Sequence, residues 1–140
     1  MAADRDAVLA ANRAFYQAFE SLDGERMAAV WLREARVTCT HPGWRRLLGF
    51  GAVLKSWEDI FSGTFGVRIE IRDEVAEVRG DTAWVTCTEV LETRLPDGVS
   101  HGLVEATNVF ERRDGRWWLV HHHGSPLARR DEPDGDLQLH

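Results

Sequence analysis

The chain is poor in several residue types, and each shortage excludes something. Among 140 residues there are two cysteines, four prolines and a single lysine, Lys55. Cys39 and Cys87 stand too far apart for a zinc ribbon and too few for a disulfide scaffold, so both read as core residues in a reducing compartment. No apolar run approaches the ~20 residues that a membrane span requires. The opening MAADRDAVLAANRAF has acidic residues and lacks the apolar stretch of a signal peptide. A cytoplasmic location with no membrane partner is therefore expected. There is no excess of positive charge either: 23 acidic against 17 basic residues give a net charge of −6, which argues against a nucleic-acid partner. G-x-G-x-x-G, P-loop and nucleophile motifs are all missing, so no cofactor is expected.

What is present describes an ordinary globular domain. Hydrophobic residues make up 44% and charged residues 29%, which excludes a disordered or fibrous chain. The length suits one domain, expected over residues 1–127, with a polar tail over 128–140 rich in Pro and Gly. Six tryptophans are many for this size, and they must fill a core, line a pocket or cover an interface.

The N-terminal third has helical periodicity. Val8, Ala11, Phe15, Ala18, Phe19 and Leu22 make one stripe, with Asp4 as N-cap and Asp23-Gly24 as the stop. A short helix over 25–32 follows, and a third over 51–61 with Val53, Leu54, Trp57, Ile60 and Phe61 inward. Between them Val37, Cys39 and His41 alternate with Arg36, Thr38 and Thr40 as a strand that ends at Pro42-Gly43. From residue 67 onward the pattern is strand after strand, turning at Pro96-Asp97-Gly98 and at Asp114-Gly115. Helices first and antiparallel strands afterwards predict an α+β fold.

Register decides which side chains meet. A two-residue turn at Asp114-Gly115 sets Phe110 opposite Leu119, Asn108 opposite His121 and Ala106 opposite His123 on one face. Val109, Trp118, Val120, Thr107 and His122 then share the other. If Leu95 pairs with Gly98, Ala83, Val85, Cys87 and Glu89 join the Phe110 face; a bulge at Gly98 would bring in Trp84, Thr86, Thr88 and Val90 instead. The first set is small and apolar apart from Glu89, which suits a core. The inner face is thus apolar at one end and carries Glu89, Asn108, His121 and His123 at the other, where each polar group needs a partner or a ligand.

These residues are the candidate site. Glu89 on an apolar face is a candidate general base whose burial raises its proton affinity; the alternative is a structural Glu paired with a histidine or arginine. His121 or His41 would be the proton donor or orienter, and Asn108 a donor to a developing oxyanion. Tyr16 and Asn12 on the first helix, His123, Trp57 and Trp44 would line the ligand. His121 and His123, an H-x-H pair with His41 or Glu89 as third ligand, could chelate a metal, but they read as structural residues and no metal is assigned. The other face, with Trp84, Val90, Val109, Trp118 and Val120, is too apolar for water and predicts a homodimer through it.

The runs THPGW (40–44), LGFGAVLKSWEDIF (48–61) and ATNVFERRDGRWWLVHHHGSP (106–126) resemble the SnoaL-like branch of the nuclear-transport-factor-2-like superfamily. The last also resembles the end of the association domain of calcium/calmodulin-dependent protein kinase. The resemblance implies a cystatin-like α+β roll, cone-shaped, in which a curved antiparallel sheet wraps around N-terminal helices, usually paired into a dimer. It implies a small-molecule pocket and a lyase- or isomerase-type enzyme, or else a non-catalytic binding or assembly module. The ketosteroid-isomerase members carry an acidic residue two positions before a Phe; here that position is Asn108. The association domains place basic side chains near positions 89 and 108, where this chain has Glu89 and Asn108.

Overall fold

Two turns set the sheet. Asp114 and Gly115 both take left-handed conformations (φ 54° and 74°), the geometry a two-residue hairpin needs to match strand twist. Leu95 pairs with Gly98, so the register that brings Glu89 to the inner face is the one observed. The computed structural model describes residues 2–128; the predicted tail from 129 onward lies outside the described residues. The elements are α1 (Ala2–Ser21), α2 (Gly24–Ala28), β1 (Thr38–Thr40), β2 (Leu47–Leu48), α3 (Phe50–Ser62), β3 (Gly66–Arg79), β4 (Thr82–Leu95), β5 (Gly98–Arg113) and β6 (Arg116–Pro126). No helix among the described residues is long and apolar enough to cross a membrane.

The six strands form one open sheet in the order β2-β1-β6-β5-β4-β3. The fold is α+β as expected, but the sheet is mixed: β1 runs parallel to β6, with Cys39 beside His122. Alternation predicts which way side chains face and carries no information on strand direction, so the parallel pair was not legible. Leu22 ends α1 with a left-handed residue (φ 56°), and Asp23 caps α2 by accepting from the Glu25 N–H at 2.9 Å rather than merely stopping α1.

The main departure from expectation lies in β6. Val109 pairs with His121 and Phe110 with Leu119, which leaves Val120 as the unpaired residue of a bulge. Every residue after it changes face. His122 is buried and inward, whereas His121 is half-buried and His123 exposed on the outer face. Val120 itself joins the core instead of the outer patch. The bulge has a visible cause. The far edge of β6 is shared by two segments: Leu119 bonds to Val30 and Leu32, and from His121 onward the partner is β1. The bulge falls where one partner gives way to the other.

α1 packs on the inner face against β3, β4 and β6. Phe15 is wholly buried and meets Tyr16, Trp57 and His122 at ring distances of 4.7, 5.7 and 5.0 Å. α3 contributes Val53, Trp57 and Phe61 to the same core. Where β6 leaves the core, Gly124 lets Pro42 and Val104 close over it; a β-carbon there would stand 3.0 Å from Val104 Cγ1 and 3.1 Å from Pro42 Cγ. Neither neighbour is a flexible tip. Gly124→Ala is therefore expected to lower stability by about 1–3 kcal/mol, measured as a shift in the urea midpoint with an unchanged slope.

Candidate functional site

The sequence places Asn12 and Tyr16 within one helical turn of each other, beside the apolar stripe of α1. In the fold both are buried, pressed onto β5 and β4. They meet Asn108, which is wholly buried, and Glu89, which is 2% exposed, while His122 joins through Asn108. Asn108 Nδ2 donates to Asn12 Oδ1 at 2.8 Å and to Tyr16 Oη at 3.1 Å. Tyr16 Oη donates to Glu89 Oε2 at 2.6 Å and lies 3.5 Å from Cys87 Sγ. His122 Nδ1 donates to Asn108 Oδ1 at 2.5 Å. Asn12 Nδ2 continues the chain outward to Glu74 Oε2 at 2.9 Å.

The cluster unites Glu89, Asn108, Asn12 and Tyr16 from the sequence prediction, and corrects the histidine. His121 and His123 point to the other side of the sheet, where Thr38 Oγ1 meets His121 Nδ1 at 2.6 Å. They cannot share an ion with His41 on the inner face. Among the described residues no three His, Cys, Asp or Glu side chains are grouped to hold a metal. His122 takes the inward place because of the Val120 bulge. Glu74 was also missed: β3 slips register between Arg72 and Val75, and this second bulge lies in the least regular stretch of the pattern.

His41 sits at the neighbouring end. Pro42-Gly43, with Gly43 at φ 82°, turns the chain so that the Trp44 N–H donates back to the His41 carbonyl at 2.8 Å. The His41 ring packs edge-on against Trp44 at 4.8 Å and Trp57 at 4.6 Å. Its Nε2 meets Ser56 Oγ at 2.8 Å. Trp44 is 46% exposed, so this turn forms the outer boundary of the site. Trp57 lies beneath, 6.1 Å from the His122 ring, and its indole N–H is buried with no acceptor among the described residues.

Burial governs the electrostatics. Desolvation raises the Glu89 carboxyl from 4.5 to about 7, with the Tyr16 hydrogen bond opposing it. Burial lowers His41 to about 4, and lowers His122 to about 3 with help from the other histidines, so both rings are neutral near pH 7. Burial and then the charge of Glu89 raise Tyr16, which keeps its proton. Burial, with the charge of Glu89, pushes the Cys39 thiol up to about 12; the Cys87 thiol goes to about 11, chiefly by burial. The site is thus a neutral, dry set of hydrogen-bonding groups around one carboxyl that titrates near neutrality. A cavity of 340 Å³ beside Ala7, Ala14 and Trp117 and another of 420 Å³ beside Glu20 and Phe65 lie elsewhere and do not reach Glu89.

Comparison with known proteins agrees with this architecture. A family model described as a SnoaL-like domain matches residues 8–129. F-box protein SKIP8 of Arabidopsis thaliana is 30% identical over 126 residues, 90% of this chain and 52% of that protein, so the chain spans about half the length of this curated relative. A solved structure from Streptomyces avermitilis, proposed to be a dehydratase of the NTF2-like family, is 38% identical with a TM-score of 0.85, covering 90% of this chain and 97% of that one. A proposed calcium/calmodulin-dependent protein kinase type II association domain from Thiobacillus denitrificans is 32% identical with a TM-score of 0.72, covering 85% and 94%.

The raised Glu89 carboxyl has a thermodynamic signature. The native state holds this proton more tightly than the unfolded chain, so its contribution is full below pH 4.5 and is lost as pH rises through about 7. Glu89→Gln keeps an oxygen for Tyr16 and removes the titration. The variant should gain stability relative to the wild type between pH 4.5 and 8, by about 3 kcal/mol at most. The two buried histidines contribute the opposite slope below pH 6.5, but equally in both proteins. Urea denaturation at pH 4.5, 6 and 8 measures the difference, and a pH-independent difference would refute the assignment.

Proposed function

Because the chain belongs to the SnoaL-like family, we propose that it is an enzyme of the lyase or isomerase type that moves protons on a small, partly apolar substrate. Glu89 carries the reading. It is a buried carboxyl, held by one hydrogen bond from Tyr16, with a proton affinity matched to neutral pH, and this is the tuning that general acid–base catalysis requires. Glu89 takes a proton from the carbon next to a carbonyl and returns it elsewhere on the substrate. His41 and His122, both neutral, bear on the reacting atoms through their unprotonated nitrogens. Asn108 has a different role from the oxyanion donor expected at first: its donating nitrogen is engaged by Asn12 and Tyr16, so it acts by holding Tyr16 and His122 in place. Trp57 and Trp44 supply the apolar wall. The 38% identical Streptomyces protein, proposed to be a dehydratase, supports this class of reaction.

The second reading is a non-catalytic ligand-binding or assembly module. The F-box relative favours it, since there a domain like this one occupies about half of a protein that is not named as an enzyme. Turnover separates the two. Incubated in deuterated buffer with a panel of small ketones and hydroxyketones, the wild type should exchange hydrogen at the carbon next to the carbonyl. Glu89→Gln should lower that rate by about 100-fold or more. Exchange equal in both proteins, or absent throughout, would favour the binding module.

We further infer a homodimer through the outer sheet face, in the cytoplasm, where two buried free thiols stay reduced. Trp84, 37% exposed, lies there with Val109, Val90 and the half-buried Trp118, whose ring is capped by the Arg116 guanidinium at 3.8 Å. The likeness to a proposed association domain supports pairing of this kind. Sedimentation should show a dimer at micromolar concentration. Trp118→Glu should dissociate it, because an unpaired carboxylate is costly in a dry interface. A monomeric wild type would refute the interface.

A further inference from the structure

Tyr16 has one hydrogen to give and two places to send it. Its hydroxyl stands among three groups: Glu89 Oε2 at 2.6 Å, Asn108 Nδ2 at 3.1 Å and Cys87 Sγ at 3.5 Å. An amide nitrogen only donates, so Asn108 occupies one lone pair of the tyrosine oxygen at all times. A thiol both donates and accepts, and a carboxyl gains a donor when it is protonated. The Tyr16 hydrogen therefore has two destinations, Glu89 and Cys87, and the group that does not receive it can fill the second lone pair.

Counting donors and acceptors gives two arrangements that leave nothing at the hydroxyl unpaired. With Glu89 ionised, Tyr16 donates to the carboxylate, and its oxygen accepts from Asn108 Nδ2 and from the Cys87 S–H. With Glu89 protonated on Oε2, the carboxyl O–H takes over the second lone pair. The Cys87 S–H then lets go, and the Tyr16 hydrogen turns about the Cζ–Oη bond to the sulfur. No covalent bond of Tyr16 or Cys87 is made or broken; the one proton gained is that on Glu89. The acid proton has reason to sit on Oε2. The carboxyl is 2% exposed and makes no other hydrogen bond among the described residues, and a buried O–H without an acceptor carries its full desolvation cost.

The surroundings leave Glu89 as the group that changes near neutrality. Around it and its partners stand Tyr16 and Asn12 from α1, Cys87 on its own strand, Cys39 from β1, and Asn108 of β5 with His122 of β6 behind it. Ile71 of β3 and Val104 of β5 flank it in register and are apolar. Glu74 lies beyond Asn12. Burial keeps Tyr16 and both thiols protonated and His122 neutral near pH 7.

We propose that Tyr16 is a positioning residue that serves Glu89 in both of its forms, giving its hydrogen to the carboxylate and moving it to the Cys87 sulfur when Glu89 holds a proton. The proposal rests on the acid–base reading above and adds the device by which Glu89 takes and returns a proton without losing its partner. A fixed donor such as a backbone N–H favours only the ionised form. A hydroxyl with a second acceptor supports both.

Tyr16 is the one tyrosine of the chain, and Cys39 and Cys87 are its two thiols, so a Raman titration of the full chain reads both ends of the switch. The intensity ratio of the tyrosine ring doublet is low when the hydroxyl is a strong donor and high when it is a strong acceptor. The S–H stretch rises in frequency when a thiol stops donating, and Cys39→Ala assigns the two thiol bands. From pH 8 to pH 6, as Glu89 gains its proton with a midpoint of about 7, the doublet should pass from the donor to the acceptor pattern and the Cys87 band should rise. The Cys39 band senses the same charge without a bond to Tyr16, and it should move less. Glu89→Gln does not titrate and should show neither change. A doublet or a Cys87 band that stays still, or that moves equally in Glu89→Gln, would overturn the proposal. The urea titration of Glu89 then separates the two readings: a pH-dependent stability difference with a motionless doublet removes the switch alone, whereas a flat difference removes the acid–base reading as well. Turnover is no part of the readout, so its absence leaves the switch standing.

Discussion

The side-chain amide of Asn108 makes three hydrogen bonds, and through them α1 and β6 are joined to β5. An amide buried without partners would cost several kcal/mol in an apolar interior. Asn108 is tolerated because Asn12, Tyr16 and His122 satisfy it, and it in turn supplies a partner to each of these buried groups. α1 therefore docks on the sheet in one rotational setting. A purely apolar stripe, such as Val8, Phe15 and Ala18, could slide or turn with little loss, whereas a network with every donor assigned to an acceptor cannot. The position of Phe15 against Trp57 and His122, and with it the shape of the inner site, depends on this docking.

Glu89 adds a second constraint of opposite sign. Its carboxyl is held away from water by the same docking that satisfies Asn108, and it has one hydrogen bond from Tyr16 to offset the loss. A domain selected for stability alone would place an apolar residue among Val85, Cys87 and Val104. A carboxyl there lowers stability at neutral pH, and on the acid–base reading proposed above it supplies the group that exchanges a proton.

The sequence made much of this legible, and the exceptions have physical reasons. The alternation of β4 and β5, with the Asp114-Gly115 turn and the Leu95–Gly98 pairing, placed Glu89 and Asn108 on the inner face correctly. Periodicity put Asn12 and Tyr16 on the flank of the α1 stripe but could not show that the sheet would cover that flank. The parallel pairing of β1 was hidden because alternation is the same for either strand direction. The bulges at Val120 and at Asp73-Glu74 carry no glycine or proline. Each arises from tertiary demands: two successive partners along β6 in the first case, and a contact with Asn12 in the second. Those two irregularities account for the errors at the site, the exchange of His122 for its neighbours and the omission of Glu74.

Three histidines stand in a row at the Val120 bulge, although only the middle one faces α1. A bulge is a defect that can migrate along a strand, and moving it past residue 123 would turn His121 and His123 inward in place of His122. In either arrangement an imidazole meets Asn108. The interior would thus meet the same ring in either register, His122 in the one observed and His121 in the shifted one.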